Sequence, residues 1–572
     1  MECFGQKLIT MTGRITAAGF LGAVLFLSGC GKKADAEVES QELILEAAED
    51  ESAHAIMFSH PSGFYDSDFS LTITAEEGDT VYYTLDGSIP TTASAVYEGP
   101  ITITDASANE NVYSMRTDVS LYFETGEYQP PEVTVDKCTV LRAAVFDGSG
   151  TLLSESCASY FVGFQDKTGY DRMNIVSIIT APENLFDYDT GIYVLGKTYD
   201  DAVAAGIEID EDEERYYPAN YREKGKEWER EAFVSFFGTD RELLLEQVLG
   251  IRIKGHGTRV CVPKSFNLYA RESYGEKTFG ADLVGVGYLP KRLALYSAGM
   301  DRSKIKNVLA AELTADLHLG NQTYQPCVVF LDGEYWGVYW ITDKFDGPYF
   351  RETYGVEKDD VVLIKGGELE IGEDGDFALY EELLDFCSSN DMSDPANYAA
   401  FQEKVDLESF LDYYATELYL ANHDWPSTNF ALWRSREKGD GEYYDTRWRW
   451  LLFDTDEECM EQWYSDYDSI AVARERDVMF DALCENAEFR QAFADRLILF
   501  SETIFAPENV APVMNRYVDL MLVPVEVEGD RYHFDEDEIV WVRGEYMRGF
   551  FEQRPEAMRA IIGEEFPDVN PE

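Results

Sequence analysis

Asn422-His423-Asp424-Trp425-Pro426-Ser427-Thr428-Asn429 is followed, one strand and a turn later, by Leu451-Leu452-Phe453-Asp454-Thr455-Asp456. The first stretch sets an aspartate and an asparagine five positions apart, and the second sets carboxylates at the end of an apolar strand. Phosphoryl chemistry asks for these groups in this order. One Asp orients a hydroxyl, while an Asn and a later strand-borne Asp grip the metal that neutralises phosphate charge. Taken singly, either stretch also fits an Asp or Asn capping a turn. The two together, in order, favour the metal-binding reading.

Working outward, apolar residues at 407–420 have helical spacing and deliver the chain into the Asp424 loop. Residues 448–453 form the strand before Asp454. Upstream, 250–259 is a strand running into a Gly-containing turn, and 263–268 a strand carrying Lys264. Positions 301–317 have helical periodicity through Ile305, Val308, Leu309 and Leu313. An apolar hairpin turns at Asp332-Gly333. Strands are expected at 175–179 and 191–196, and helices across most of 480–562. Gly255 and Gly257 either bring backbone N–H groups close to phosphates or simply make a hairpin turn. Arg259 and Lys264 either meet phosphate charge or line a solvated strand face. Glu312 either pairs with Lys264 or stays at the surface. Trp448 either stacks on an adenine or fills the core.

Lys7 and Arg14 precede an apolar run over 15–27, and Leu27-Ser28-Gly29-Cys30 has the pattern of a bacterial lipobox. Residues 1–30 are thus expected to be an export signal, with Cys30 the lipidation site. The mature protein would be tethered to the extracytoplasmic face of the bacterial cell membrane. An acidic linker, disordered by composition, is expected over 31–55. The chain carries 47 basic and 109 acidic residues, a formal net charge of −62. That balance excludes nucleic acid as a partner and suits a basic protein. No Cys-x-x-Cys or Cys/His cluster points to zinc. Cys138 and Cys157 flank an expected hairpin and are left open between a disulfide and two thiols.

From 56 to 165 short alternating strands and turn residues predict a small immunoglobulin-like β-sandwich. Within it, Tyr82-Tyr83-Thr84-Leu85-Asp86-Gly87-Ser88-Ile89-Pro90-Thr91 and Tyr97-Glu98-Gly99-Pro100-Ile101 resemble the C-terminal domain of chitobiase and β-hexosaminidases. Such domains serve as spacers; residues 105–132 are longer than the pattern and are expected to form a decorated loop.

The order glycine turn, strand lysine, helix, hairpin, helix, Asp…Asn loop and strand-borne Asp is that of a protein kinase. Residues 168–562 resemble the spore-coat CotH-type family of atypical kinases. The resemblance rests on 250–259, Pro263-Lys264-Ser265-Phe266, Asp332-Gly333-Glu334-Tyr335-Trp336-Gly337-Val338-Tyr339, Asn422-His423-Asp424-Trp425 with Asn429, Trp448-Arg449-Trp450, Phe453-Asp454-Thr455-Asp456 and Arg554-Pro555. It implies an α+β fold with a divergent kinase-like domain after the sandwich, ATP with Mg²⁺ or Mn²⁺, and phosphorylation of protein Ser/Thr. By position, Asp424 would be catalytic, and Asn429, Asp454 and Asp456 metal ligands. Gly255, Gly257, Arg259, Lys264 and Trp448 would hold ATP. His256 stands where the family more often has Asn, and Asp343 where Glu is common. A charged insertion, 437–445, separates the two catalytic stretches. The alternative reading is a non-catalytic surface adhesin or carbohydrate-associated protein on the same scaffold.

Overall fold

Seven strands close into a barrel around an apolar core, and several of them bury apolar residues on the outer face as well. β1 (Asn174–Ile179), β2 (Arg230–Phe237), β3 (Leu243–Ile253), β4 (Phe266–Tyr269), β5 (Arg292–Tyr296), β6 (Tyr324–Leu331) and β7 (Glu334–Thr342) run in the order β1-β2-β3-β4-β5-β7-β6 and back to β1. β1 and β6 pair in parallel, the other neighbours antiparallel. Side chains alternate along each strand. Val176 and Ile178 join Phe236, Leu249, Leu268 and Ile341 in one core. Ile175 and Ile179 face a second core with Phe237 and Phe330. The computed structural model describes residues 54–121, 128–208, 215–534 and 536–570.

Two sequence expectations change here. Residues 191–196 are not a strand. Their amides turn back on the preceding helix, with Ile192 donating to Asn184 and Tyr193 to Leu185, so Ile192, Tyr193 and Val194 join the barrel core without pairing in it. A Cβ on Gly191 would stand 2.5 Å from Asp187 backbone atoms, so only glycine permits that fold-back. The helix expected over 301–317 is shorter, α1 (Lys306–Leu313). The Asp301 carboxylate accepts from the Ser303 and Lys306 amides and winds the residues before it into a turn.

The preceding segment builds a five-stranded sheet from Gly63–Tyr65, Leu152–Val162, Thr139–Phe146, Val81–Thr84 and Ala95–Val96. Two short ladders, 57–58 with 73–74 and 69–71 with 101–103, share its core of Leu71, Ile103, Leu141, Val145 and Tyr160. Cys138 and Cys157 are free thiols. The long loop after Asp105 packs on the barrel: the Val112 and Ser114 amides donate to the two oxygens of Glu334. Beside it the Cys138 amide donates to Gly333, whose Cβ, if it had one, would lie 2.7 Å from the Cys138 carbonyl. Residues 56–572 form one compact unit.

After the barrel come α2 (Gly347–Tyr354) and a second sheet of β8 (Val361–Lys365), β9 (Glu368–Ile371), β10 (Ala431–Ser435) and β11 (Arg449–Leu451), ordered β9-β8-β10-β11. α3 (Leu407–Tyr419) is capped by Asp406 and buried over nearly its whole length. α4 (Pro507–Tyr532) and α5 (Glu545–Glu565) close the helical part. Among the described residues no helix is long and apolar enough to cross a membrane. The lipobox and Cys30 lie outside the described residues.

Candidate active site

The loop after α3 is fixed from both sides. Ala421 takes a left-handed turn, and the buried Glu417 carboxyl accepts from the Asn422 amide group at 2.8 Å. Asn422 Oδ1 in turn accepts from the Asp424 backbone N–H at 3.2 Å. His423 lies against the Tyr464 and Tyr467 rings. Arg554 explains the late Arg-Pro motif. Wholly buried, it donates to the carbonyls of Leu418, Tyr419, Ser465 and Tyr467 and so ties α5 to the end of α3.

Asn429 Nδ2 donates to Asp424 Oδ2 at 3.2 Å, so the five-residue spacing brings amide and carboxylate together. Burial, then the charges of Glu457 and Asp454, raise the Asp424 pKa to about 6, against the opposing pull of Arg215. Arg215 pairs with Glu457 at 2.6 Å. Left-handed backbone at non-glycine residues gathers here: Ala421 (φ 55°), Asn429 (50°), Asp454 (58°), Glu458 (47°) and Met460 (53°). Such conformations are costly and persist where the surroundings over-determine them, commonly at functional sites.

Asp454 follows β11, whose end is held by Gly320: its N–H donates to Trp450 and its carbonyl accepts from Leu452. The next residue, Thr455, donates its amide to Asn307 of α1 at 2.7 Å. Asp456 is deeper. It is buried, accepts from the Tyr296 hydroxyl, and burial raises its pKa to about 6. Its carbonyl and Glu461 hold the Lys306 ammonium. Asp456 is therefore tied into the wall of the site, while Asp424, Asn429 and Asp454 stand only partly buried.

The residues expected to hold ATP are placed differently. Lys264 is wholly buried; its ammonium donates to the carbonyls of Arg259 and Val260 and lies 3.8 Å from the Tyr221 ring centre. Burial drives its pKa well down. Arg259 spends its guanidinium on the carbonyls of Gly255, Tyr221 and Glu223. Neither reaches the carboxylates; both staple the turn to the barrel. Trp448 is 1% exposed, packed among Tyr380 and the helices beside β11, so it is a core residue. Glu312 binds Arg516 and Tyr517, not Lys264. Gly255 does have a steric reason: a Cβ there would stand 2.1 Å from Thr258 Oγ1, at φ 110°. Gly257 lies beneath Tyr216 and Arg215.

The cations near Asp454 come from elsewhere. Lys254 follows β3 and lies over the Tyr296 ring, Lys344 follows β7, and Lys365 ends β8 over the Phe453 ring. Burial, then mutual repulsion with Lys254 and Arg292, pushes Lys344 well down; burial also lowers Lys365, and Asp454 pulls both back up. The sequence carried a signal for them. Each stands at a strand end beside a turn, two of them next to glycine, in Lys254-Gly255 and Lys365-Gly366-Gly367.

The CotH kinase protein family model matches residues 251–558, more than half of the 572 residues. The chain belongs to this family. The chitobiase/beta-hexosaminidase C-terminal domain model matches residues 60–116. No curated protein matches the chain. The CotH match begins inside β3, so β1 and β2, which complete the barrel, precede it. The second match likewise stops short of the two longest strands of the five-stranded sheet.

Proposed function

We propose that this protein is a metal-dependent protein kinase that transfers the γ-phosphoryl group of ATP to Ser or Thr hydroxyls of proteins. One observation carries the reading. In a chain of net charge −62, Lys344 and Lys365 stand near Asp454 with Lys254 beside them, and burial and mutual repulsion weigh on both Lys344 and Lys365. A polyanion relieves that repulsion, and a cation on Asp454 relieves the repulsion among the carboxylates. The donor set fits ATP with Mg²⁺ or Mn²⁺. The lysines would hold phosphates; Asp454 and Asn429 would hold the metal, whose chemistry is neutralisation of phosphate charge. Asp456 would steady that ligand set from behind. Asp424, ionised at neutral pH and held by Asn429, would orient the acceptor hydroxyl and take its proton. Arg215, paired with Glu457, would keep Asp424 from being neutralised by its acidic neighbours.

In the same reading the protein is a lipoprotein anchored through Cys30 on the outer face of the membrane, with protein substrates there. The deciding experiment is incubation of the purified chain with labelled ATP, with and without divalent metal. Asp424→Asn is expected to keep the fold and metal–ATP binding while losing transfer by roughly 10²–10⁴-fold. Full transfer by that variant rejects the assignment.

A further inference from the structure

A cavity of about 470 Å³ opens between α1, α2 and the end of β7. Tyr288, Tyr324, Tyr349, Tyr354 and Tyr517 wall it, together with Asp343. Glu312 stands in the same wall, held by Arg516 and Tyr517. Among the described residues no lysine or arginine lines it. Asp343 is 1% exposed. It accepts the Thr323 amide at 2.8 Å and the Tyr288 hydroxyl at 3.5 Å, and no cation pairs with it among the described residues. Burial, with Asp346 close by, raises its pKa to about 7.

These features discriminate between ligands. With Glu312 already paired to Arg516, Asp343 without a counter-charge and no lining cation disfavour phosphates, so this is not a second nucleotide site. A buried carboxylate without a counter-charge, beside a volume fit for a small molecule, favours positive charge. The lining tyrosine rings offer apolar surface and cation–π partners for such a charge. We propose that this cavity binds a small organic cation, an amine carried on a flat or aromatic body, with Asp343 as its counter-ion.

The cavity shares its walls with the candidate active site. Val308 and Ala311 of α1 line it, and Asn307, the residue before them, holds the Thr455 amide. Gly320 lines it as well and holds the end of β11, the strand that leads to Asp454. Occupancy is thus placed to act on the carboxylates, but the binding itself does not depend on phosphoryl transfer.

The test is calorimetric titration of the purified chain with phenethylamine and with 2-phenylethanol, its neutral match in size. Phenethylamine is expected to bind in the millimolar range, on the order of tenfold tighter than the alcohol. Asp343→Asn keeps the Thr323 bond and should erase that preference without lowering the melting temperature. Ala311→Phe, which fills the cavity, should abolish binding of both. The proposal is overturned if phenethylamine does not bind, if it binds no tighter than the alcohol, or if Asp343→Asn retains the preference. Magnesium–ATP titration of the same sample reports separately on the kinase reading, so either can fail alone.

Discussion

Glu417 sits under the 422–429 loop with its carboxyl buried, one oxygen taking the Asn422 amide and Tyr413 beside the other. Burial raises its pKa from 4.5 to about 8. The folded state therefore holds the proton more tightly than the unfolded chain. Its contribution to stability is complete below about pH 4.5 and is lost as pH rises through 8. Glu417→Gln keeps the acceptor for Asn422 and removes the titration. The variant is expected to melt above the wild type at pH 8 and with it near pH 4; thermal melts across that range check this. Lys264 gives the opposite case. Truncation to Ala unpairs the Arg259 carbonyl inside the barrel, a loss of about 1–3 kcal/mol, and should leave metal–ATP affinity unchanged. Urea titration and nucleotide binding on one sample separate the two effects.

Strand ends, more than strands, make the site. β7 and β8 are mostly buried, β3 becomes buried toward its C-terminal end, and each delivers a lysine only at or just past its last residue. That is why the sequence gives the scaffold and the acid groups more readily than the cations. Asp424 and Asn429 lie in one short stretch whose spacing brings them together, Asp454 follows a legible apolar strand, and α3 and the β6–β7 hairpin follow from periodicity and a turn. Lys254, Lys344 and Lys365 are far apart in the chain and meet only through barrel closure and the pairing of β8 with β10. Lys264, in a motif that suggested phosphate, turns inward because three carbonyls of the 259–261 turn converge on its ammonium. Lys344→Ala or Lys365→Ala should weaken metal–ATP binding while leaving the melting temperature of the ligand-free chain unchanged or raised, since each removes repulsion. A fall in that melting temperature with unchanged affinity would assign these lysines to the fold alone.

At the scale of the molecule, the five-stranded sheet and the barrel are joined by an aromatic seam in which Phe161 packs on Phe64, Phe164, Phe237 and Phe330. Phe161→Ala should cost about 3–5 kcal/mol and shift one common unfolding transition. Two separated transitions in the wild type would show that the seam does not couple the parts. The net charge of −62 sets the last condition. On the proposed function, ATP must approach Asp424, Asp454 and Glu457 in a strongly negative field, with only the lysines near Asp454 to offset it. Nucleotide binding should therefore need a divalent cation. Mg²⁺ with ATP at about 100 times its dissociation constant should stabilise the fold by roughly 2.7 kcal/mol, whereas ATP with a chelator should do little. Asp454→Ala should abolish the shift, and Asp424→Asn should retain most of it. Equal stabilisation by ATP without metal would remove Asp454 from its assigned role, and no shift with any metal would favour the non-catalytic surface protein.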